Sequence, residues 1–180
     1  MLADFSQEFW APVEIVKPDI DEKLIRSDDA QCLVVALAFA KAEAVRRRVT
    51  GSAIIITADQ VVTSNGSILE KPVSLDEARL MLKSYRNNPP SAPVGIAVTN
   101  LVTGRQHVGF DASSANCSRI TDEAIDAYLQ DWETVRRCSG AITANHPTLR
   151  NLITFDQGTI DSFEGLPKDL TKLLIQRVLS

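Results

Sequence analysis

Apolar residues spaced three and four apart mark the first predicted element of the chain. This spacing runs through residues 28–48 and ends in three consecutive arginines, which suit the negative carboxyl end of a helix. We therefore predict a long helix there, capped by Ser27 or Asp28. A short apolar and β-branched run at 53–57 predicts a buried strand, which places Asp59 at its carboxyl end.

An Asn-Gly pair predicts a hairpin after that strand. Asn65 and Gly66 separate two short segments rich in β-branched and aliphatic residues, 61–63 and 68–69. The pair accepts the positive φ angles that a type I′ turn requires. Further along, the asparagines, prolines and serine of residues 87–93 predict a loop.

Capping residues and helical spacing predict three more helices. Ser74 and Glu77 form a capping box ahead of a helix over about 75–86. Apolar residues return to helical spacing at 122–130, and Pro167 suits the first turn of a last helix.

Two segments, 95–101 and 107–118, have the composition of strands and flank the turn Thr103-Gly104. Helices and strands therefore follow one another in mixed order, without an internal repeat or an interdomain linker. Because 180 residues suit one hydrophobic core, we predict a single α/β domain over residues 1–180.

Composition and charge narrow the classes of partner and compartment. The chain is 44% hydrophobic and 23% charged, which is ordinary for a globular protein, and it has no apolar run of about 18 residues that would predict a membrane span. Its net charge of −4 would repel nucleic acid polymers and anionic lipid. Three widely spaced cysteines and the lack of a signal-peptide pattern fit a reducing, cytoplasmic location.

Acidic residues in two places are candidate metal ligands. An acidic segment, 19–22, ends in Glu22 within a predicted loop, and Asp59 lies at the end of the predicted strand. Magnesium takes one or two carboxylates together with water and phosphate oxygens, so these acids could share an ion. An acidic loop segment is more often simply solvated.

Two lysines are candidates for phosphate binding. Lys71 follows the predicted hairpin directly and precedes a stiff proline, which would hold its ammonium near the strand ends. Lys41 would lie in the middle of the first helix, where a side chain that extends over apolar neighbours into solvent is the simpler interpretation.

Other nucleotide-binding and catalytic patterns are absent from the sequence. It contains neither a P-loop nor a Rossmann glycine motif. His107, His146 and Cys138 lack a recognisable nucleophile or ligand signature, and Arg136 with Arg137 fits a solvated helix end. We therefore interpret the two histidines and Cys138 as structural, and the two arginines as part of a solvated surface.

Taken together, several segments resemble the Maf-like nucleoside triphosphate pyrophosphatases in their order and spacing. The resemblance covers nearly the whole chain from about residue 12 onward. The segments are Pro18-Asp19-Ile20-Asp21-Glu22, Ala40-Lys41-Ala42-Glu43-Ala44, Ala58-Asp59-Gln60-Val61-Val62, Gly66 to Pro72, Ser139-Gly140-Ala141 and Gly158 to Pro167.

This resemblance implies a mixed, twisted β-sheet flanked by helices, in the Maf-like or ITPase-like architecture. It implies hydrolysis of a non-canonical, modified or pyrimidine nucleoside triphosphate to the monophosphate and pyrophosphate. By resemblance, Asp59 and Glu22 are the catalytic carboxylates and the ligands of a divalent metal, magnesium or alternatively manganese. Lys41 and Lys71 resemble the lysines that contact the triphosphate. Family members tend to be homodimers.

The resemblance leaves the preferred base open. Gln60, which we predict to contact substrate, resembles the branch associated with methylated guanine nucleotides and also plant-like members. Asn145 stands roughly where many members place a base-contacting glutamine or glutamate. Uracil, thymine, cytosine and 7-methylguanine nucleotides therefore all stay candidates.

One family motif is missing from the sequence. Members usually begin with a strand that runs into Ser-x-Ser-Pro-Arg-Arg, a phosphate-binding loop, and this sequence contains no such motif. The segment 1–5 resembles the end of the helix that follows that loop, so we expect a domain truncated at its N-terminus and a weakened activity. The alternative is an inactive homologue that binds nucleotide or serves as a dimerisation module.

Overall fold

The fold is an α/β arrangement in which helices cover both faces of a six-stranded sheet. A computed structural model describes residues 12–180. The helices are α1 (Ala30–Arg46), α2 (Leu75–Ser84), α3 (Asp122–Leu129), α4 (Trp132–Val135), α5 (Ile160–Phe163) and α6 (Lys168–Leu179). The strands are β1 (Ile54–Gln60), β2 (Val62–Ser64), β3 (Ser67–Leu69), β4 (Ser91–Asn100), β5 (Gln106–Asn116) and β6 (Thr154–Gln157), and short 3₁₀ turns lie at Glu22–Leu24 and Ser139–Ala141.

The sheet is organised around the long central strand β4. Its strands follow the order β3-β2-β4-β5-β6, and β1 pairs with β4 on the same side as β2. Every described pair is antiparallel, which corrects the expected mixed sheet within an otherwise confirmed α/β class. The reason is the connections: hairpin turns join β2 to β3 and β4 to β5, and a hairpin reverses the strand direction.

Local sequence signals predicted most of the helices and strands, and the observed ends differ from the predicted ends by a few residues. Asn65 and Gly66 have φ angles of 50° and 76°, as the predicted type I′ turn requires. Helix α1 begins later than expected, because the Asp29 carboxylate, and not Ser27 or Asp28, accepts a hydrogen bond from the N–H of Cys32.

The predicted loop at 87–93 is shorter than expected, because β4 already begins at Ser91. Pro93 lies inside that strand, and its carbonyl accepts from the N–H of Val61. In an antiparallel pair the N–H and C=O of one residue point to the same side. The missing N–H of Pro93 therefore faces the break between β1 and β2, where a proline costs the sheet little.

Two helices sandwich the centre of β4. On one face, Val94, Ile96 and Val98 pack against α6 residues Leu174, Ile175 and Val178. On the opposite face, Ala97 packs against Ala38 and Ala42 of α1. A larger apolar cluster, which includes Val62, Leu82, Tyr85, Ile125, Tyr128, Leu149 and Phe163, joins α2, α3 and the segment 141–153 to the other end of the sheet.

Among the helices of residues 12–180, none is long and apolar enough to cross a membrane. The predicted helical end at 1–5 lies outside the described residues.

Candidate active site

Three of the predicted site residues meet at the ammonium group of Lys41. This lysine projects from α1. Asp59 is the penultimate residue of β1, and Glu22 is the first residue of the 3₁₀ turn ahead of α1. Lys41 Nζ lies 2.5 Å from Asp59 Oδ1 and 2.9 Å from Glu22 Oε1. Residues far apart in sequence are thus held around one point.

Close packing of α1 on the sheet brings Lys41 to Asp59. Asp59 pairs across the ladder with Gly95 of β4. A Cβ atom at Gly95 would lie only 2.4 Å from the carbonyl oxygen of Val34, so the absent side chain lets the α1 backbone approach the strand. The Thr57 hydroxyl adds a hydrogen bond of 2.7 Å to the carbonyl of Ala38. These contacts fix the helix directly over β1.

Burial and pairing act in opposite directions on the charges of this cluster. The side chains of Asp59 and Lys41 are 10% and 14% exposed, whereas Glu22 is 54% exposed. Burial raises the pKa of the Asp59 carboxyl, and the Lys41 ammonium offsets that effect only in part. Burial also opposes the charge of Lys41, but hydrogen bonds to Asp59 and Glu22 outweigh it and raise the pKa of the ammonium.

Lys71 lies at the edge of this cluster. Its ammonium is near enough to Asp59 to lower the pKa of that carboxyl, and it has no ion pair within the described part of the chain. The residue follows β3, and the carbonyl of its neighbour Glu70 accepts a hydrogen bond of 3.0 Å from the N–H of Gly140. This bond connects the Lys71 segment to the 3₁₀ turn at Ser139–Ala141.

Gln60 points away from the Lys41 cluster. Consecutive residues of a strand project to opposite faces, so Gln60 and Asp59 diverge. The Gln60 amide donates a hydrogen bond of 2.6 Å to the carbonyl of Phe163, at the end of α5. The structure thus places Gln60 as a link between β1 and the α5 segment.

The two carboxylates fit a shared hard cation. Both place an oxygen within 2.9 Å of one nitrogen, which shows that Asp59 and Glu22 can face a single positive charge. Between residues 12 and 180, no group of three or more histidine, cysteine or acidic side chains is placed to hold an ion. A metal bound here would have these two carboxylates as its protein ligands, and magnesium held in that way would complete its shell with water and substrate phosphate oxygens.

A second polar cluster, which no sequence pattern indicates, lies around Glu164. This residue follows α5, and its carboxylate accepts hydrogen bonds from the Thr143 hydroxyl and from the N–H groups of Ala144 and Asn145. About 20 residues separate the donors from the acceptor, so no local pattern could have predicted the contact.

His146, Cys138 and the two arginines make contacts within the fold or on its surface. His146 accepts from the N–H of Thr148 at Nδ1, and its Nε2 lies 3.6 Å from Asp131. Arg136 and Arg137 both reach Glu133 on the surface. Cys138 is half-buried, and burial raises the pKa of its thiol, with Glu164 and Lys71 also near enough to affect it.

Comparison with known proteins gives a consistent set of relatives. A family model described as "Maf-like protein" matches residues 2–178. A 7-methyl-GTP pyrophosphatase of Dictyostelium discoideum is 36% identical over 91% of this chain and 85% of its own length. A 7-methyl-GTP pyrophosphatase of Idiomarina loihiensis is 37% identical over 71% of the chain and 65% of its own length. A dTTP/UTP pyrophosphatase of Alkaliphilus oremlandii is 32% identical over 71% and 66%.

Proposed function

The chain belongs to the Maf-like protein family, and from this premise we propose that it is a nucleoside triphosphate pyrophosphatase. It hydrolyses a modified or pyrimidine nucleoside triphosphate to the monophosphate and pyrophosphate. The observation that carries the proposal is the convergence of Asp59 and Glu22 on the Lys41 ammonium, with Lys71 nearby. Relatives named as pyrophosphatases of both substrate types support it.

The proposed reaction is attack of water on the α-phosphorus, with cleavage of the bond to the oxygen that bridges the α and β phosphorus atoms. Asp59 orients the water and accepts its proton, because burial raises the pKa of its carboxyl and so strengthens it as a base. Lys41 and Lys71 stabilise the negative charge that grows on the departing pyrophosphate. Glu22 holds Lys41 in place from the opposite side.

We further propose that Asp59 and Glu22 bind a divalent metal, magnesium or alternatively manganese. When bound, the metal supplies charge stabilisation for the phosphate oxygens. A homodimer in the cytoplasm, with no nucleic acid polymer or membrane as partner, completes the proposal. The net charge of −4 supports the expectation that polymeric polyanions are repelled.

Pyrophosphate release tests the proposed activity. The purified chain is assayed with UTP, dTTP, CTP and 7-methyl-GTP, with magnesium and with EDTA. We expect magnesium-dependent turnover of at least one of these nucleotides, and a loss of about 100-fold or more for Asp59→Asn. The exposed Asp156→Asn serves as the matched control.

Nucleotide binding without hydrolysis would contradict the enzymatic proposal and favour a binding or dimerisation module. Turnover by Asp59→Asn equal to that of the unmodified chain would remove Asp59 from the mechanism. Sedimentation of the purified chain tests the homodimer separately.

A further inference from the structure

Glu164 lies in a cradle of hydrogen-bond donors. Its Oε1 accepts from the N–H of Ala144 at 2.7 Å and from that of Asn145 at 3.3 Å. The Thr143 hydroxyl lies 3.0 Å from Oε1 and 2.9 Å from Oε2. The carboxylate is therefore fixed in orientation by one short segment, 143–145.

This cradle leaves acceptor capacity on Oε2. A carboxylate has about four acceptor positions, and a threonine hydroxyl has one proton to donate. The two N–H groups occupy Oε1, so at most the Thr143 proton reaches Oε2 within the described part of the chain. Glu164 is partly exposed, so this oriented carboxylate oxygen offers an acceptor position to an N–H donor of a ligand.

The position of Glu164 connects it to the candidate active site. Gln60, the residue after Asp59, donates to the carbonyl of Phe163, the residue before Glu164. On the other side, the N–H of Gly140 donates a hydrogen bond of 3.0 Å to the carbonyl of Glu70, the residue before Lys71, and the chain runs directly from Gly140 to the 143–145 segment that holds Glu164. A polar row therefore runs from the carboxylates at Lys41, past Lys71, to Glu164.

We propose that Glu164 is a specificity-determining residue that reads the base of the substrate and favours a guanine-type base. This inference rests on the proposed function, because it assumes that the triphosphate lies at Asp59, Lys41 and Lys71. The base then lies at the Glu164 end of the row.

The hydrogen-bonding edges of the bases explain the preference. Guanine presents two neighbouring donors, N1–H and the N2 amino group, and Oε2 can accept from both when the Thr143 proton turns to Oε1. Uracil and thymine present one N–H between two carbonyl oxygens, and those oxygens would face the negative Glu164. A site built to accept hydrogen bonds discriminates strongly against a ligand that lacks the donors.

Binding of nucleotides that resist hydrolysis tests the inference independently of turnover. The probes are the α,β-methylene analogues of GTP, ITP and UTP, titrated calorimetrically with magnesium. We expect the GTP analogue to bind at least about 10-fold more tightly than the UTP analogue. The ITP analogue lacks only the N2 amino group, so we expect it to bind about 10-fold more weakly than the GTP analogue.

Glu164→Gln is expected to reduce the affinity for the GTP analogue by about 10- to 100-fold, since a charge-assisted bond is lost. Its affinity for the UTP analogue should change less than about threefold. Glu133→Gln, a substitution of an exposed glutamate, is the matched control. Equal losses for both analogues would assign Glu164 a structural role and overturn the inference, as would equal affinities of the unmodified chain for the GTP and ITP analogues.

The two proposals fail in different ways. Discriminating binding without pyrophosphate release from any nucleotide contradicts the proposed function and supports the reading of the base by Glu164. Hydrolysis that prefers UTP and is unchanged in Glu164→Gln supports the function and contradicts the inference.

Discussion

At the scale of single residues, Asp59 and Lys41 depend on each other. Each side chain is largely buried, and a buried charge is tolerated when a partner and hydrogen bonds compensate for the lost water. Their contact of 2.5 Å supplies that compensation. Glu22 is more exposed and contributes less to stability, so the pair of Asp59 with Lys41 is the energetic centre of the cluster.

Removal of the ammonium should therefore destabilise the protein through Asp59. We expect Lys41→Met to lower the free energy of unfolding at neutral pH by about 1–3 kcal/mol, because it leaves a carboxylate buried without its cation. Urea denaturation of Lys41→Met, Asp59→Asn and the double variant measures the coupling. The double variant should be more stable than the sum of the single effects predicts, and strict additivity would rule out the coupling.

At the scale of elements, the position of α1 determines whether Lys41 reaches Asp59. The helix lies on β4 at Gly95, where its backbone fills the space that a side chain would need. Gly109 of β5, which pairs with Ile96 of β4, faces only the side-chain methyl groups of Leu170 and Leu174 in α6. The two glycines thus differ in what an added methyl group would displace.

Substitution of these glycines should separate rigid from adaptable packing. Gly95→Ala places a methyl group against the Val34 carbonyl, so we expect a loss of about 3 kcal/mol or more and displacement of α1. Gly109→Ala meets side chains that can rotate, and should cost about 1 kcal/mol. Thermal unfolding ranks the two variants; a loss for Gly109→Ala as large as that for Gly95→Ala would contradict this account.

Ion pairs join α2 to the start of α3. The Asp122 carboxylate lies 2.7 Å from Lys83 and 2.5 Å from Arg86, and Arg79 pairs with Asp126 in the next turn. Hydrogen bonds from Lys83 and then Arg86 lower the pKa of the Asp122 carboxyl below 3.8. Because the pKa of Asp122 is lower in the folded than in the unfolded chain, the contribution of these ion pairs to stability depends on the pH.

Asp122→Asn should lower the melting temperature at pH 7, where the carboxylate is charged in both the folded and the unfolded chain. Because the folded pKa is lowered, this stability is present above the unfolded value of 3.8 and is lost as the pH falls through the folded value. The difference in melting temperature between the variant and the unmodified protein should therefore shrink below pH 3.8. Asp156→Asn, at an exposed position of β6, is the control, and a difference that stayed constant down to pH 2 would refute the assignment.

At the scale of the whole molecule, the candidate site depends on parts from the entire chain. The 3₁₀ turn at Glu22–Leu24, α1 and β1 supply the charged cluster, and β3 leads into Lys71. The segments 138–145 and 160–165 contribute the Glu164 cradle and the bond to Gln60. A ligand that spans this row would connect segments of the two largest apolar clusters.

Nucleotide binding should consequently stabilise the whole fold, and only with metal if the two carboxylates share an ion. At a nucleotide concentration of 100 times Kd, the gain is about 2.7 kcal/mol. For a chain of this size it corresponds to a rise in melting temperature of about 5–11 °C. Differential scanning fluorimetry with magnesium, with EDTA and with Glu22→Gln provides the measurement. An equal rise in EDTA would argue against metal-assisted binding.

The sequence alone determined the features that depend on neighbouring residues. Capping by Ser74, the Asn65-Gly66 turn and the apolar spacing of α1 act over a few residues, so the pattern predicted these elements to within a few positions. Asp59, Glu22, Lys41 and Lys71 were also selected from the sequence, by resemblance and by their place relative to predicted strand ends and loops. Their catalytic roles stay predictions.

Tertiary structure alone decided what depends on contacts between distant segments. The antiparallel pairing of β1 and β2 with β4 was decided by how both strands dock on β4, since strand periodicity contains no information on direction. Lys41, which the pattern favoured as a solvated side chain, is instead buried between two carboxylates, because Gly95 admits α1 to close range. The bonds of Gln60 to Phe163 and of Glu164 to residues 143–145 likewise join segments remote in sequence, since hydrogen bonding and desolvation depend on spatial proximity.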